Sequence, residues 1–260
     1  GRAALPALSG RTAVVGQPGG VKPVGVDKSA DRVRRMFAEI APRYDFLNHF
    51  LSLNIDRHWR SRSLRILDPK PGEPFLDVCT GTGDLALAAS KRLRENTEVV
   101  GSDFCGEMLQ FARKKQQKYG FDKHSLVFLE ADTMRLPFPD DRFQTVTVAF
   151  GLRNVADTQV GLAEMMRVCK KGGTVAVLEF SQPTLPGLKQ LYQFYFKRIL
   201  PGIGNRLAKN SKDAYAYLPA SVSQFPSGEA MAEMMRSSGL QQVRFVPMTF
   251  GVVTLYMGRK

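Results

Sequence analysis

The chain is poor in cysteine, in acid and in long apolar runs, and each shortage narrows its class. Its three cysteines, Cys79, Cys105 and Cys169, lie far apart in 260 residues. They form neither a C-x-x-C pair nor a metal-binding spacing, which excludes a disulfide scaffold and a structural zinc and favours a reducing compartment. No apolar stretch approaches the roughly 20 residues of a membrane-spanning helix, so the expectation is a cytoplasmic protein. Acids number 24 against 37 Lys and Arg, a net charge of +13. Such a surplus suits an anionic partner, whether nucleic acid, acidic substrate or lipid headgroups, with solubility alone as the alternative. The hydrophobic share of 43% is ordinary for a globular protein, and the length suits one domain with additions or two small ones.

Residues 1–28 carry Gly, Pro, Val and Ala without helical or alternating period and read as a disordered extension, whose basic composition leaves a transit peptide open. From Ser29, the apolar Val33, Met36, Phe37 and Ile40 recur at i, i+3, i+4 and i+7, an amphipathic helix that Pro42 should stop. Further helices are expected at 43–53 and 57–67, completing a basic helical arm over 29–72 that holds the only tryptophan, Trp59. Strands at 74–79, 98–102, 126–130, 143–150 and 174–180 then alternate with helices at 84–93, 106–119 and 159–169, the rhythm of a parallel sheet with helices on both faces. An aromatic and basic insertion at 183–225 breaks that rhythm. A helix at 227–238 and strands at 242–248 and 251–257 close the chain, the last two as an antiparallel hairpin. A domain over 73–260 is therefore expected: α/β, Rossmann-like, seven-stranded, ending in a hairpin that is usual for a class I methyltransferase and unusual for a dehydrogenase.

The run Phe75-Leu76-Asp77-Val78-Cys79-Thr80-Gly81-Thr82-Gly83-Asp84 reads as a buried strand entering a glycine turn and a helix, the place where α/β proteins hold an adenosine-bearing cofactor. Asp84 sets a carboxylate in the helix's first turn, where a dinucleotide's pyrophosphate would sit. It repels phosphate and tolerates a cationic or zwitterionic amino acid, so the turn fits S-adenosylmethionine better than NAD. Asp103, about twenty residues beyond the glycines, is placed to accept from ribose hydroxyls, a role common to both cofactors. Met108 falls where it lies against adenine or packs in the core. At the third strand's end, Asp132 is placed to accept from the adenine amine while the Thr133 N–H donates to the ring. The expected cofactor set is Asp77, Gly81, Thr82, Gly83, Asp103, Met108, Asp132 and Thr133, and no metal is expected.

Several longer runs carry a resemblance over roughly residues 29–260. These are Ala41-Pro42-Arg43-Tyr44-Asp45 with Asn48, Leu51-Ser52-Leu53, Arg57-His58-Trp59-Arg60, Phe150-Gly151-Leu152-Arg153-Asn154-Val155 and Leu178-Glu179-Phe180-Ser181. With the glycine turn, they resemble the C-methyltransferases of ubiquinone and menaquinone biosynthesis, which methylate a polyprenylated quinol ring with S-adenosylmethionine. The resemblance implies that Thr82, Asp103 and the pair Asp132-Thr133 contact the cofactor, and it leans toward demethylmenaquinol, with the ubiquinone series as the alternative. Two departures stand out: Thr80 replaces a frequent glycine, and Ala149 a frequent serine.

Methylation at carbon requires a ring activated by ionisation of a neighbouring hydroxyl, and a cation that stabilises the phenolate. Arg153 and Asn154 suit that role, with a structural ion pair as the other reading of Arg153. Tyr44 and Asp45 are placed to close over the site, and His58 reads as surface. Residues 185–200 interleave aromatics with Lys189, Lys197 and Arg198, as in an interfacial helix touching anionic lipid, or one buried against the sheet. No nucleic-acid partner is expected, because neither an Asn-Pro-Pro-Tyr run nor a Pro-Cys pair occurs. The oligomeric state stays open, a homodimer included.

Overall fold

The computed structural model describes residues 28–183 except 53, 95, 123 and 124, the single positions 187, 190 and 194, and residues 212–260, with backbone alone at 47–51 and 212–216. The expected extension at 1–28, apart from Lys28, and nearly all of the expected interfacial segment at 185–200 lie outside the described residues. Among the described residues no helix is long and apolar enough to cross a membrane.

Seven strands form one sheet: β1 (Phe75–Val78), β2 (Val99–Asp103), β3 (Leu126–Glu130), β4 (Phe143–Ala149), β5 (Cys169–Phe180), β6 (Gln241–Met248) and β7 (Val253–Arg259). Their order is β3-β2-β1-β4-β5-β7-β6, parallel through β5 and antiparallel at the β5–β7 and β7–β6 pairs. β1 and β2 are buried along their whole length because helices cover both faces, so even Asp77, Ser102 and Asp103 are enclosed. One cover contains α3 (Asp84–Leu93) and α4 (Gly106–Lys118), whose Leu85, Leu93, Leu109 and Ala112 pack on Phe75, Val99 and Leu126. The other contains α5 (Thr158–Val168), capped by the Asp157 carboxylate accepting from the N–H groups of Gln159 and Val160, and later in the chain α7 (Glu229–Ser237), after α6 (Lys212–Gln224). Strand order reverses between β1 and β4, so the crevice at their carboxyl ends is where an α/β sheet binds ligands.

Two expectations about the arm are corrected. Pro42 does not stop the first helix: α1 runs from Ala30 to Leu51 with Pro42 inside it, and α2 (Ile55–Leu67) follows, so two helices replace the expected three. An interior proline costs about 3 kcal/mol in a free helix. Here packing on both sides offsets it, with Ala41 buried and Phe37 and Tyr44 lying against Cys105 and Met108 at the start of α4. The continuous helix carries Tyr44 and Asp45 to the glycine turn. α2 is fixed to the far half of the sheet by Trp59, which is 3% exposed, donates from Nε1 to Thr249 Oγ1 at 2.8 Å and meets the Phe180 ring edge-on.

β5 also begins earlier than expected. Phe143 pairs with Cys169 and Thr145 with Thr174, so Lys170–Gly173 bulge out of register within one long strand. The last two strands join through a 3-10 turn at Thr249–Gly251 and pair antiparallel, as the hairpin reading anticipates.

Candidate active site

Gly83 ends the turn with φ of 81°, and a Cβ there would lie 2.7 Å from the Phe128 ring of β3; both conformation and space exclude a side chain. Thr80 is not among the residues with positive φ, and its hydroxyl donates to Asp77 Oδ2 at 2.6 Å. That contact explains how threonine stands where a glycine is frequent. Thr147 of β4 donates to the other Asp77 oxygen at 2.9 Å, so Asp77, 1% exposed, ties the turn to β4. Burial pushes its pKa up to about 7, against the opposing pull of these hydroxyl bonds.

Asp103 joins the turn to α4. It accepts from the Gly81 N–H at 2.8 Å and the Cys105 N–H at 2.9 Å, leaving lone pairs on both oxygens. Burial raises its pKa to about 6, although those two N–H groups favour the ionised form. Asp132 is exposed at the end of β3, with one oxygen held by the Met134 N–H at 2.9 Å. Thr133 is buried, its hydroxyl 3.2 Å from the Cys79 sulfur. Burial pushes the Cys79 thiol far up, leaving it an uncharged wall.

Asp84 is not the bare carboxylate that the sequence suggested. Lys115 of α4 pairs with Asp84 and with Asp45, each at 2.6 Å, and donates to Thr82 Oγ1 at 2.9 Å; the Thr82 hydroxyl in turn donates to Asp45. Repulsion of phosphate by a lone charge therefore weakens as an argument. The first turn of α3 is instead filled by protein side chains, and the same network fastens α1 over the glycine turn.

At the end of β4 the backbone turns sharply. Cys79 and Phe150 have φ of 51° and 59°, and a Cβ on Gly151 would lie 2.4 Å from the Cys79 Cβ. Only glycine lets β4 approach β1 this closely, which gives the Phe-Gly-Leu-Arg-Asn run a physical reason. Arg153 is buried with its guanidinium 2.8 Å from Glu179 Oε1 and bonded to the Phe150 carbonyl, and its own N–H donates to Glu179 at 3.4 Å. The pair braces the Phe150 bend, and Arg153 does not line the cavity. Asn154 does, and its Oδ1 is buried without a hydrogen-bond partner among the described residues.

These parts surround one cavity of about 900 Å³, its open mouth included. All eight residues of the expected cofactor set except Gly83 line it, as do Tyr44 and Asn154. Four carboxylates border it, those of Asp77, Asp84, Asp103 and Asp132, in a chain whose net charge is +13. Lys28 and Arg60 line it as well and Asp84 is paired with Lys115, so the acids outnumber the cations most clearly around Asp77, Asp103 and Asp132, a balance that suits a cationic ligand. Sequence reasoning missed Lys28, Phe37, Arg60 and Phe150 as cavity walls. Phe37 was legible only as a core position of α1, and Arg60 and Phe150 lay inside quoted motifs without a role.

Comparison with known proteins agrees with this geometry. The family model of the ubiE/COQ5 methyltransferase family matches residues 26–260. A ubiquinone/menaquinone biosynthesis C-methyltransferase of Geobacter sp. strain M21 is 44% identical over 237 residues, 90% of this chain and 99% of that protein. A demethylmenaquinone methyltransferase of Thermus thermophilus is 45% identical over 223 residues, 86% of this chain and 99% of that one. Among solved structures, an S-adenosylmethionine-dependent methyltransferase of Thermotoga maritima superposes with a TM-score of 0.62 at 19% identity, covering 87% of this chain and 99% of that chain. At that identity the likeness speaks for the fold, and it is the match of nearly the whole chain that decides the family. The chain belongs to the ubiE/COQ5 methyltransferase family and is an S-adenosylmethionine-dependent methyltransferase.

Proposed function

We propose that this enzyme methylates a ring carbon of a polyprenylated quinol in quinone biosynthesis, with demethylmenaquinol as its acceptor. The observation that carries the reading is the acidic cofactor recess opening at the β1–β4 switch point beside the Phe150–Val155 bend. Family membership adds the quinone class, and relatives from Thermus thermophilus, Deinococcus radiodurans and Bacteroides fragilis bear the demethylmenaquinone name.

S-adenosylmethionine, when bound, supplies an electrophilic methyl group on a cationic sulfur. In this reading Asp103 accepts from the ribose hydroxyls, Asp132 from the adenine amine, and the Thr133 N–H donates to the ring, with Met108 alongside. Gly81, Thr82 and Gly83 shape the turn, and Asp77 holds its base. Tyr44, lying over Gly81, closes the recess from the arm at 29–72 and excludes water from the domain at 73–260. Asn154 offers its amide to the acceptor hydroxyl. Arg153, committed to Glu179, acts as a positioning residue that holds Asn154 and Phe150 in place, rather than as the phenolate's direct partner. Peripheral contact of residues 185–200 with anionic lipid belongs to the same reading, since a prenylated acceptor resides in a bilayer; sedimentation with liposomes at low salt should depend on anionic lipid. A homodimer and the absence of a nucleic-acid partner remain part of the proposal.

Incubation with methyl-labelled S-adenosylmethionine and either demethylmenaquinol or the corresponding ubiquinone precursor tests the assignment. Label is expected in the naphthoquinol product first. Transfer to the ubiquinone precursor alone would reassign the acceptor.

A further inference from the structure

The cations around the cavity differ in one respect. Arg60 is paired with Asp56 and lies 3.8 Å from Asp84, and Arg153, just behind the wall, is paired with Glu179. Lys28 lines the cavity but forms no ion pair or hydrogen bond among the described residues; its ammonium stands 5.9 Å from the centroid of the Phe225 ring, at the end of α6. It is half-buried, and burial, then the Arg153 charge, lower its pKa, while Glu179 opposes them. An ammonium held near a guanidinium with no carboxylate of its own is an arrangement lacking an anion. Among the described residues, Lys28 and Arg153 set against Glu179 leave one positive charge in excess on this side of the cavity. Carboxylates are in excess on the other, at Asp77, Asp103 and Asp132.

We propose that Lys28 is a catalytic residue: its ammonium pairs with the acceptor's ring oxygen as that hydroxyl ionises. The hydroxyl proton passes to water at the cavity's open mouth. The ring carbon takes the methyl group as the carbon–sulfur bond breaks, with the bonding pair remaining on sulfur. The ring carbon's own hydrogen then leaves as a proton to water and restores aromaticity. Lys28 thus stabilises charge where it develops, in a half-buried setting where one such contact is worth about 100-fold in rate.

This inference rests on the quinol reading, and the test separates the two. Turnover of demethylmenaquinol and the dissociation constant of S-adenosylmethionine are measured for the full chain and for Lys28→Met and Lys28→Arg. The expected result is a fall in kcat of about 100-fold for Lys28→Met with cofactor affinity unchanged, and recovery to within about tenfold of wild type for Lys28→Arg. Wild-type kcat in Lys28→Met, or loss of cofactor affinity in parallel, would overturn the assignment. A second readout needs no turnover: 4-nitrophenol bound to the S-adenosylhomocysteine complex should ionise at lower pH than in water, and Lys28→Met should abolish that shift. If wild type methylates no quinol, the quinol reading fails; the nitrophenolate signal then decides Lys28 by itself, and its absence in wild type would sink the proposal.

Discussion

The two sides of the cavity handle charge in opposite ways. On the side of β1, β2 and β3, Asp77 and Asp103 are buried carboxylates that accept from hydroxyls and N–H groups and form no ion pair among the described residues, and burial pushes both upward. Beyond β4, the buried charges of Arg153 and Glu179 are matched to each other, and Trp59, Phe150 and Phe180 pack around them. An unmatched buried charge is costly and waits for a ligand of opposite sign, whereas a matched pair is structural. In the proposed reading, Asp103 is left to recognise the cofactor, while Asp77 and the Arg153–Glu179 pair hold the site's shape.

Breaking the matched pair should produce the largest effect. Arg153→Ala leaves Glu179 buried and unpaired and is expected to cost about 3–5 kcal/mol of stability, read by chemical denaturation, with turnover falling in proportion to the disordered bend. A wild-type stability with lost kcat would return Arg153 to direct chemistry. On the unmatched side, Asp103→Ala should weaken S-adenosylmethionine by about 1.5–3 kcal/mol per lost charged hydrogen bond, measured by calorimetry, because the ribose and the turn both lose their acceptor. Gly151→Ala tests the close approach that joins the two sides: overpacking against Cys79 should cost about 1–3 kcal/mol.

Proton linkage sharpens the contrast at smaller scale. Asp77 and Asp103 have folded pKa values of about 7 and about 6, above the ordinary carboxylate range. Between the unfolded values and these, the folded protein binds more protons, so stability of the cofactor-free enzyme should fall as pH rises from about 4 to 7. Asp77→Asn should flatten that slope in thermal melts. Cofactor affinity should move the other way, since ionised Asp103 is the better acceptor: about a tenfold gain from pH 5 to 7, the change in its ionised fraction. The smallest effect belongs to His58, exposed on α2, whose replacement by alanine should leave kcat unchanged and stability within about 0.5 kcal/mol.

The sheet was legible because its central strands β1 and β2 are buried along their length and β1 runs into a glycine turn, so the order of strands and helices from Phe75 to Phe180 follows the local pattern, apart from the early, bulged start of β5. The carboxylates that line the cavity were legible too, since Asp103 and Asp132 sit at or just past strand ends, where sequence and space are in register. The rest depended on distant partners. Pro42 read as a stop because local propensity cannot see α4 beneath α1. Arg153 kept two readings, phenolate partner or structural ion pair, because Glu179 lies 26 residues away on the next strand, and Asp84 read as a free anion because Lys115 lies 31 residues away. Lys28, at the edge of a segment without periodicity, gave no signal at all.

The account's central claim is methyl transfer to carbon from a cofactor held in the acidic recess. The most direct measurement is mass spectrometry of demethylmenaquinol after incubation with the enzyme and methyl-labelled S-adenosylmethionine. The account predicts one labelled methyl bonded to a ring carbon and resistant to ether cleavage. A label on oxygen, or an unlabelled quinol with the cofactor intact, would contradict it.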